Sequence, residues 1–535
     1  MQKEITIKLA PSEIENEQVI IQKTRNQLRI TSDDELRIVK IKLSLDARRK
    51  PIHYQLKLKA CVNEKSENEF DPSTGSGENE LKYKEVHNST DVLHIIGAGP
   101  AGLFCALHCL ELGIKPIIFE RGKKVRDRRR DLAALNKEGI LNEESNYCFG
   151  EGGAGTYSDG KLYTRSKKRG SVQKMLQIFI RFGAEEKIAY EAHPHIGTNK
   201  LPKIIENIRE HIIACGGEIH FEHKLTDFYL KENSIAGIEI NNSTKVDCKN
   251  LVLATGHSAK DIYLLLHKKG IQLEEKDFAI GVRIEHPQQL INEIQYGREY
   301  ARAIELNQDS ALPPAAYSLV EQVNGRGVFS FCMCPGGIIA PASTANNSLV
   351  VNGWSPSKRN NPYANSGLVV KVGQEDFSEF KKEGVLAGLY FQESIEQKAY
   401  DVGGGKFVAP AQKVTDLISN KTSQSIGEHS YLPGVNPSNM KEVLPSFIYN
   451  SIQKGIKQFS KKVKNYIHPE AIVVATESRT SSPLRIPRDK ESLEHIQIKG
   501  LYPCAEGAGY AGGIISAAID GERVAEAVHI LKNVS

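Results

Sequence analysis

The stretch Leu93-His-Ile-Ile-Gly97-Ala-Gly99-Pro-Ala-Gly102 constrains this chain more than any other. An apolar run leads into three glycines spaced G-x-G-x-x-G, then into the helical pattern Leu103-Phe-Cys-Ala-Leu-His-Cys-Leu-Glu-Leu112. A second apolar run, Pro116-Ile-Ile-Phe119, ends at Glu120. Strand, glycine turn, helix, strand, acid is the order of a dinucleotide-binding unit. Gly97 permits the tight turn, Gly99 lets backbone approach a pyrophosphate, and Gly102 lets the helix pack close to the strand. With Pro100 and Ala101 they set free N–H groups of the helix start against the phosphates, where the helix dipole favours an anion. Glu120 is placed to accept hydrogen bonds from a ribose hydroxyl, with Arg121 next to it.

Two other segments share the glycine spacing without the context. Gly150-Glu-Gly152-Gly153-Ala154-Gly155 follows a poor buried strand, and Thr156-Tyr-Ser158-Asp159-Gly-Lys161 after it does not open an amphipathic helix. This segment reads as a loop whose backbone lies flat against a ligand, with Ser158, Asp159 and Lys161 lining the site. Gly507-Ala-Gly509-Tyr-Ala-Gly512 follows a short strand, Gly500–Ala505, and opens a helix at Ile514. The chain then stops at Ser535, so the segment is expected to complete the first unit.

At 535 residues the chain has room for about three domains of ~150 residues. Residues 1–88 are expected to form an α+β module with a linker: Glu4–Leu9 alternates like a strand, Glu15–Arg25 is helical, and Glu35–Leu45 and Ile52–Lys59 alternate again. The turn Arg48-Arg49-Lys50 between the last two is basic. The linker is the Asn, Glu, Ser and Gly-rich stretch at 63–90. Residues 91–260 open the cofactor domain, which includes a β-meander over Lys224–Val246 and a buried strand, Leu251–Leu253, ending in Ala254-Thr255-Gly256. Residues 261–470 are expected to form an inserted antiparallel substrate domain, with a hairpin at Asn324-Gly325. Ala471–Ala475 is expected to begin the return to the cofactor domain, which residues 471–535 complete. No run of ~18 apolar residues spans a membrane, and no apolar leader opens the chain, so a cytoplasmic protein is expected. A net charge of +5 gives little support to nucleic acid as a partner.

Asp91–Glu120, Leu251–Gly256 and Gly500–Val528 together resemble the FAD domain of the glutathione-reductase-type superfamily. The inserted domain resembles its hydroxylase and geranylgeranyl-reductase branch. Gly150–Lys161, Ala254–Ser258, Cys332-Met-Cys334-Pro-Gly-Gly337, Glu477–Pro483 and Ala505–Gly513 resemble, more narrowly, a bacterial family of uncharacterised FAD-dependent dehydrogenases with an added N-terminal module. The resemblance implies an α/β fold: a Rossmann-type FAD-binding domain, an inserted antiparallel-sheet substrate domain and a small N-terminal α+β module. It implies FAD as cofactor, and a small-molecule substrate without naming one. The superfamily's Gly-Asp near the last helix is Ala505-Glu506 here, so either Glu506 or backbone supplies the ribityl contact. Gly507, Gly512, Gly513 and Ile514 are expected to stabilise negative charge near flavin N1 and O2.

The reading is thus an FAD-dependent oxidoreductase passing hydride through flavin N5, with NAD(P)H as a transient donor or electrons from substrate or a protein. A flavoprotein of RNA modification, a flavin monooxygenase and a non-catalytic FAD scaffold are the rivals. Cys332 and Cys334, one residue apart, would face one side of a strand and serve redox or nucleophilic chemistry, or pack beside the flavin. No second cysteine pair stands at metal-ligand spacing, so no metal is expected. His257 follows the Thr-Gly strand end and is a further catalytic candidate; His193 and His195 rank below it. Arg479 and Arg485 would hold an anionic substrate or form structural ion pairs. Arg128, Arg129 and Arg130 read as a solvated basic face.

Overall fold

The computed structural model describes residues 1–63, 81–164, 169–306 and 312–534, so most of the expected linker lies outside the described residues. A five-stranded parallel sheet runs in the order Leu501–Pro503, Leu251–Leu253, Val92–Ile96, Lys115–Glu120, Glu218–Phe221. The glycine-turn strand Val92–Ile96 is central, and the chain leaves it in opposite directions along the sheet. A crevice therefore opens at the carboxyl ends of these strands. The meander expected to extend this sheet forms its own three-stranded antiparallel sheet instead, over Leu225–Lys231, Ser234–Ile240 and Thr244–Asp247.

Helix Pro100–Leu112 packs against the C-terminal helix Ile514–Val534. The approach is close: a Cβ on Gly521 would lie 2.1 Å from the carbonyl oxygen of Ala101. Asp520 secures the other side, accepting from Ala505 N at 2.8 Å and pairing with Arg488 at 2.7 Å. This brings the start of the last helix beside the first glycine turn, as the sequence requires.

A seven-stranded sheet follows in the order Val320–Val323, Arg326–Cys334, Tyr363–Val372, Phe278–Pro287, Ile472–Glu477, Ala409–Lys413, Val435–Pro437. Its pairs are antiparallel except the last. Asn324 and Gly325 turn the hairpin with φ of 51° and 80°, as a two-residue turn of this type demands. The stretch Ala471–Ala475 does not begin the return to the first sheet. Its strand Ile472–Glu477 lies between Phe278–Pro287 and Ala409–Lys413, every residue of it buried. A continuous apolar run buried on both faces carries no mark of which sheet it joins.

The N-terminal module has the expected strand–helix–strand–strand order: Gln2–Leu9, Glu17–Leu28, Leu36–Asp46 and His53–Val62. It does not stand apart. Ile5, Ile7, Leu9 and Leu56 belong to the same buried cluster as Ile280, Val282 and Leu368 of the seven-stranded sheet. Leu43 also exchanges backbone hydrogen bonds with Tyr190 and Ala192, at 2.7 and 2.8 Å. Among the described residues no helix is long and apolar enough to cross a membrane.

Replacing Gly521 by Ala forces a methyl group against the Ala101 carbonyl. The urea midpoint of Gly521→Ala is expected to fall by the equivalent of about 1–3 kcal/mol, read by circular dichroism, with weaker flavin retention. An unchanged midpoint would contradict the close helix contact.

Candidate functional site

The carboxyl ends of the parallel strands and the inner face of the inserted sheet enclose one cleft. Gly97, Gly99, Pro100 and Ala101 line it, as do Glu120, Arg121, Gly153, Ala154, Gly155, Ala254, Thr255, Gly256, Glu506, Gly513 and Ile514. Of the catalytic candidates, Cys332, His257 and Arg479 are there, with Ser158, Asp159 and Lys161. Gly102, Gly152, Gly507, Gly512 and Cys334 are not among its lining residues. Gly102 faces its own strand: a Cβ there would stand 2.0 Å from the Gly97 carbonyl oxygen. Gly152 donates to the Ala98 carbonyl at 2.8 Å and Gly507 packs against Gly256. These residues shape the cleft from behind.

The loop at Gly150–Gly155 runs between the first glycine turn and the last helix. A Cβ on Gly153 would sit 3.1 Å from the Cα of Gly99, and one on Gly155 3.3 Å from Ile514 Cγ1. Arg128 holds the loop in place and corrects the expected solvated face. It lies fully buried and donates to the carbonyls of Asn146, Glu151, Tyr147 and Gly153 at 2.8, 2.7, 3.0 and 2.8 Å. Burial pulls its pKa down. Arg129 and Arg130 are exposed as expected. The signal for Arg128 was present: it shares a helical stripe with Val125, Leu132 and Leu135, all buried.

Glu120 is buried and already engaged. One carboxylate oxygen accepts from Ala98 N at 2.8 Å; the other accepts from Gly122 N and Gly150 N, both at 2.9 Å. It ties the first glycine turn to the second loop, a role the sequence reading missed. Arg121 stacks on Phe149, 4.4 Å from the ring centroid, and pairs with Asp261 and with Glu144.

Arg479 lines the cleft with its guanidinium occupied: Nε and Nη2 donate to Glu396 at 3.0 and 2.9 Å, and Nη1 to Thr344 at 2.7 Å. It is a structural ion pair, the second of the two readings. Arg485 lies away from the cleft, 3.5 Å from Glu274. His193 and His195 are outside too. His195 faces the Ser357 carbonyl at 3.2 Å, and burial pushes its pKa down to about 4. His257 sits 3.4 Å from Glu506, and its Nε2 is buried with no hydrogen-bond partner among the described residues.

The two cysteines part company at a β-bulge between Phe331 and Cys334. Cys332, at φ 46°, meets the cleft, while Cys334 is fully buried. They do not lie side by side on a regular strand face, because the bulge breaks the two-residue period. Behind them Arg283, fully buried, pairs with Glu477 at 2.8 Å and donates to the Cys332 carbonyl at 2.7 Å. Lys161 reaches across to the Met333 carbonyl and to Asp159 at 3.6 Å. Burial would raise the Asp159 carboxyl, but Arg359 at 2.7 Å and Lys161 outweigh it and hold it below its usual range.

Residues 277–480 match a family model described as FAD-dependent protein, C-terminal domain-like, and residues 1–61 match a domain of unknown function. A protein of Clostridium beijerinckii, described only as uncharacterized, is 40% identical over 528 residues, covering 96% of each chain. The chain belongs to one family with this relative, and its residues 277–480 carry the domain described as that of FAD-dependent proteins. FAD is its cofactor. The family domain spans the seven-stranded sheet, including its strand Ile472–Glu477. Among solved structures, a flavin-dependent brominase aligns with a TM-score of 0.36 at 14% identity, covering 83% of this chain and 81% of the other. A flavocytochrome c3 fumarate reductase aligns at 0.33 and 11%, covering 83% and 79%.

The cleft fits this cofactor. Glycines meet backbone to backbone where a Cβ would intrude, and the starts of two helices converge on the same space, offering N–H groups to phosphate and to a reduced ring. Arg128→Met should leave the Asn146 and Tyr147 carbonyls unpaired and those of Glu151 and Gly153 with only their bonds from Thr156. We expect a loss of on the order of 3 kcal/mol in unfolding free energy and at least about tenfold weaker FAD binding, measured by flavin fluorescence titration. Arg128→Lys should not restore it, since an ammonium cannot span the four acceptors.

Proposed function

We propose that the protein is an FAD-dependent oxidoreductase whose small-molecule substrate enters the cleft between the glycine turns and the inserted sheet. One observation carries this reading: the same cleft is lined by the glycine turns, by Cys332 of the seven-stranded sheet and by Asn352 of the two-stranded ribbon of Ile338–Pro341 and Val351–Trp354 beside it. When bound, FAD supplies the two-electron chemistry, with hydride passing through N5.

The chain's own residues divide the remaining work. The free N–H groups at the start of the helix Pro100–Leu112, Ala101 foremost, bind the pyrophosphate. Glu120 fixes the turn that presents them and Arg121 closes the cleft beside Phe149. The start of the last helix, at Gly513 and Ile514, stabilises negative charge on the reduced ring. His257, held by Glu506 through one nitrogen, keeps its other nitrogen free to hold or give a proton. The mostly antiparallel inserted sheet supports placing the chain beside the hydroxylase and geranylgeranyl-reductase branch. Among the described residues one parallel sheet carries the glycine turn, so NAD(P)H, if it is the donor, docks transiently over the cleft.

The test is an anaerobic absorbance titration of the purified flavoprotein with NADPH, then NADH. Flavin bands that bleach within seconds are expected for a nicotinamide-driven oxidoreductase; oxygen uptake stimulated by substrate would mark a monooxygenase instead. Bands that no nicotinamide, dithiol or substrate can bleach would leave a structural flavin and overturn the proposal.

A further inference from the structure

The C-x-C segment of the inserted sheet carries an arrangement that the oxidoreductase reading does not use. Its two sulfurs differ in access. Cys332 is half-buried and meets the cleft, while Cys334 is fully buried behind it. Its thiol lies 3.2 Å from the Cys332 carbonyl and 3.6 Å from Arg283 Nη2. Two cations attend the pair, one at each sulfur. Lys161 stands 3.9 Å from Cys332 Sγ and takes its place from the loop that also lines the cofactor cleft. Arg283 stands behind, held by Glu477, Asn365 and Asn352.

From this geometry we infer that Cys332 and Cys334 form a redox-active dithiol, Cys332 being the sulfur that exchanges with a disulfide substrate and Cys334 the one that resolves it. The inference rests on the oxidoreductase reading and names its substrate class. The neighbouring Cys334 thiol and the charges of Lys161 and Arg283 hold the Cys332 thiol well below its ordinary pKa, against the opposing effect of burial. The same neighbour relation, together with burial, pushes the Cys334 thiol up, so Cys332 is the sulfur that gives up its proton more readily. That is the division of labour thiol–disulfide exchange needs.

The steps balance. Cys332 thiolate attacks one sulfur of the substrate disulfide and expels the other as a thiolate. Cys334 loses its proton and attacks Cys332, forming the Cys332–Cys334 bond and releasing the second substrate thiolate. Two electrons have then left the protein for the substrate. Returning the pair to thiolate and thiol takes one hydride equivalent from reduced FAD: its two electrons break the S–S bond and its proton ends on Cys334, leaving Cys332 as thiolate. A ring closed over a single intervening residue is strained, and a strained disulfide is readily reduced, which suits a bond that must open in every cycle.

The test uses the FAD-loaded protein and a count of electrons. After one equivalent of glutathione disulfide, peptide mapping should find the Cys332–Cys334 bond. Anaerobic dithionite titration should then consume about four electrons per FAD, two for the flavin and two for the disulfide. Cys332→Ser and Cys334→Ala should bind FAD and consume about two. Lys161→Met should slow alkylation of Cys332 by iodoacetamide at neutral pH by about tenfold or more. Wild-type protein that binds FAD yet consumes two electrons and shows no such bond would overturn the dithiol while leaving the oxidoreductase reading intact. If the wild-type flavin is itself reducible by nothing, that reading fails on its own.

Discussion

One buried cation sets the shape of the cofactor cleft. The loop at Gly150–Gly155 has little side chain of its own with which to hold a conformation, and glycine backbone is the most costly to order. Arg128 supplies the missing contacts by taking four carbonyls, while Glu120 takes amide groups from the same loop and from the first glycine turn. A guanidinium with fixed donors on one side and a carboxylate on the other make the backbone between them a rigid surface. Burying a charge is costly unless its hydrogen bonds are complete, and here they are. Glu151 extends the network, accepting from Val125 N at the start of the helix that carries Arg128 and pairing with Arg209 at 2.7 Å.

The inserted sheet repeats the device. Arg283 and Glu477 form an ion pair on two adjacent strands, both buried, and Arg283 spends its other donors on Asn365, Asn352 and the Cys332 carbonyl. The pair fixes the bulge that turns Cys332 toward the cleft. Arg479 and Glu396 do the same at the cleft wall, with Ser348 and Ser478 completing the carboxylate's bonds. Three arginines, two buried and one half-buried at the cleft, thus hold three walls with their guanidinium groups already engaged.

This explains what was legible in the sequence. The glycine turn, its strands and the closing helix announce themselves because their geometry demands glycine and apolar runs at fixed spacing. Of the residues drawn from them, Gly97, Gly99, Pro100, Ala101, Gly513 and Ile514 line the cleft, while Gly102, Gly507 and Gly512 do not. The arginines were harder to place, because a sequence shows a charge without showing its partner: Arg128 read as solvated and Arg479 carried two readings. Partners far along the chain, such as Glu396 for Arg479, leave no local trace. The strand Ile472–Glu477 was assigned to the wrong sheet for a related reason, since full burial erases the alternation that would reveal its neighbours. The parting of Cys332 from Cys334 depended on a bulge, which no periodicity announces.

The cleft joins Gly99, near the start of the cofactor unit, to Gly513, near the end of the chain. Between them the polypeptide builds, among the described residues, four further sheets and returns. Contacts so distant in sequence close slowly, because the loop between them must be ordered first. In a chain synthesised from its N-terminus, the parallel sheet waits for its edge strand Leu501–Pro503 until almost all else has been made. Acquisition of flavin therefore reports that segments far apart in the chain have come together at one cleft.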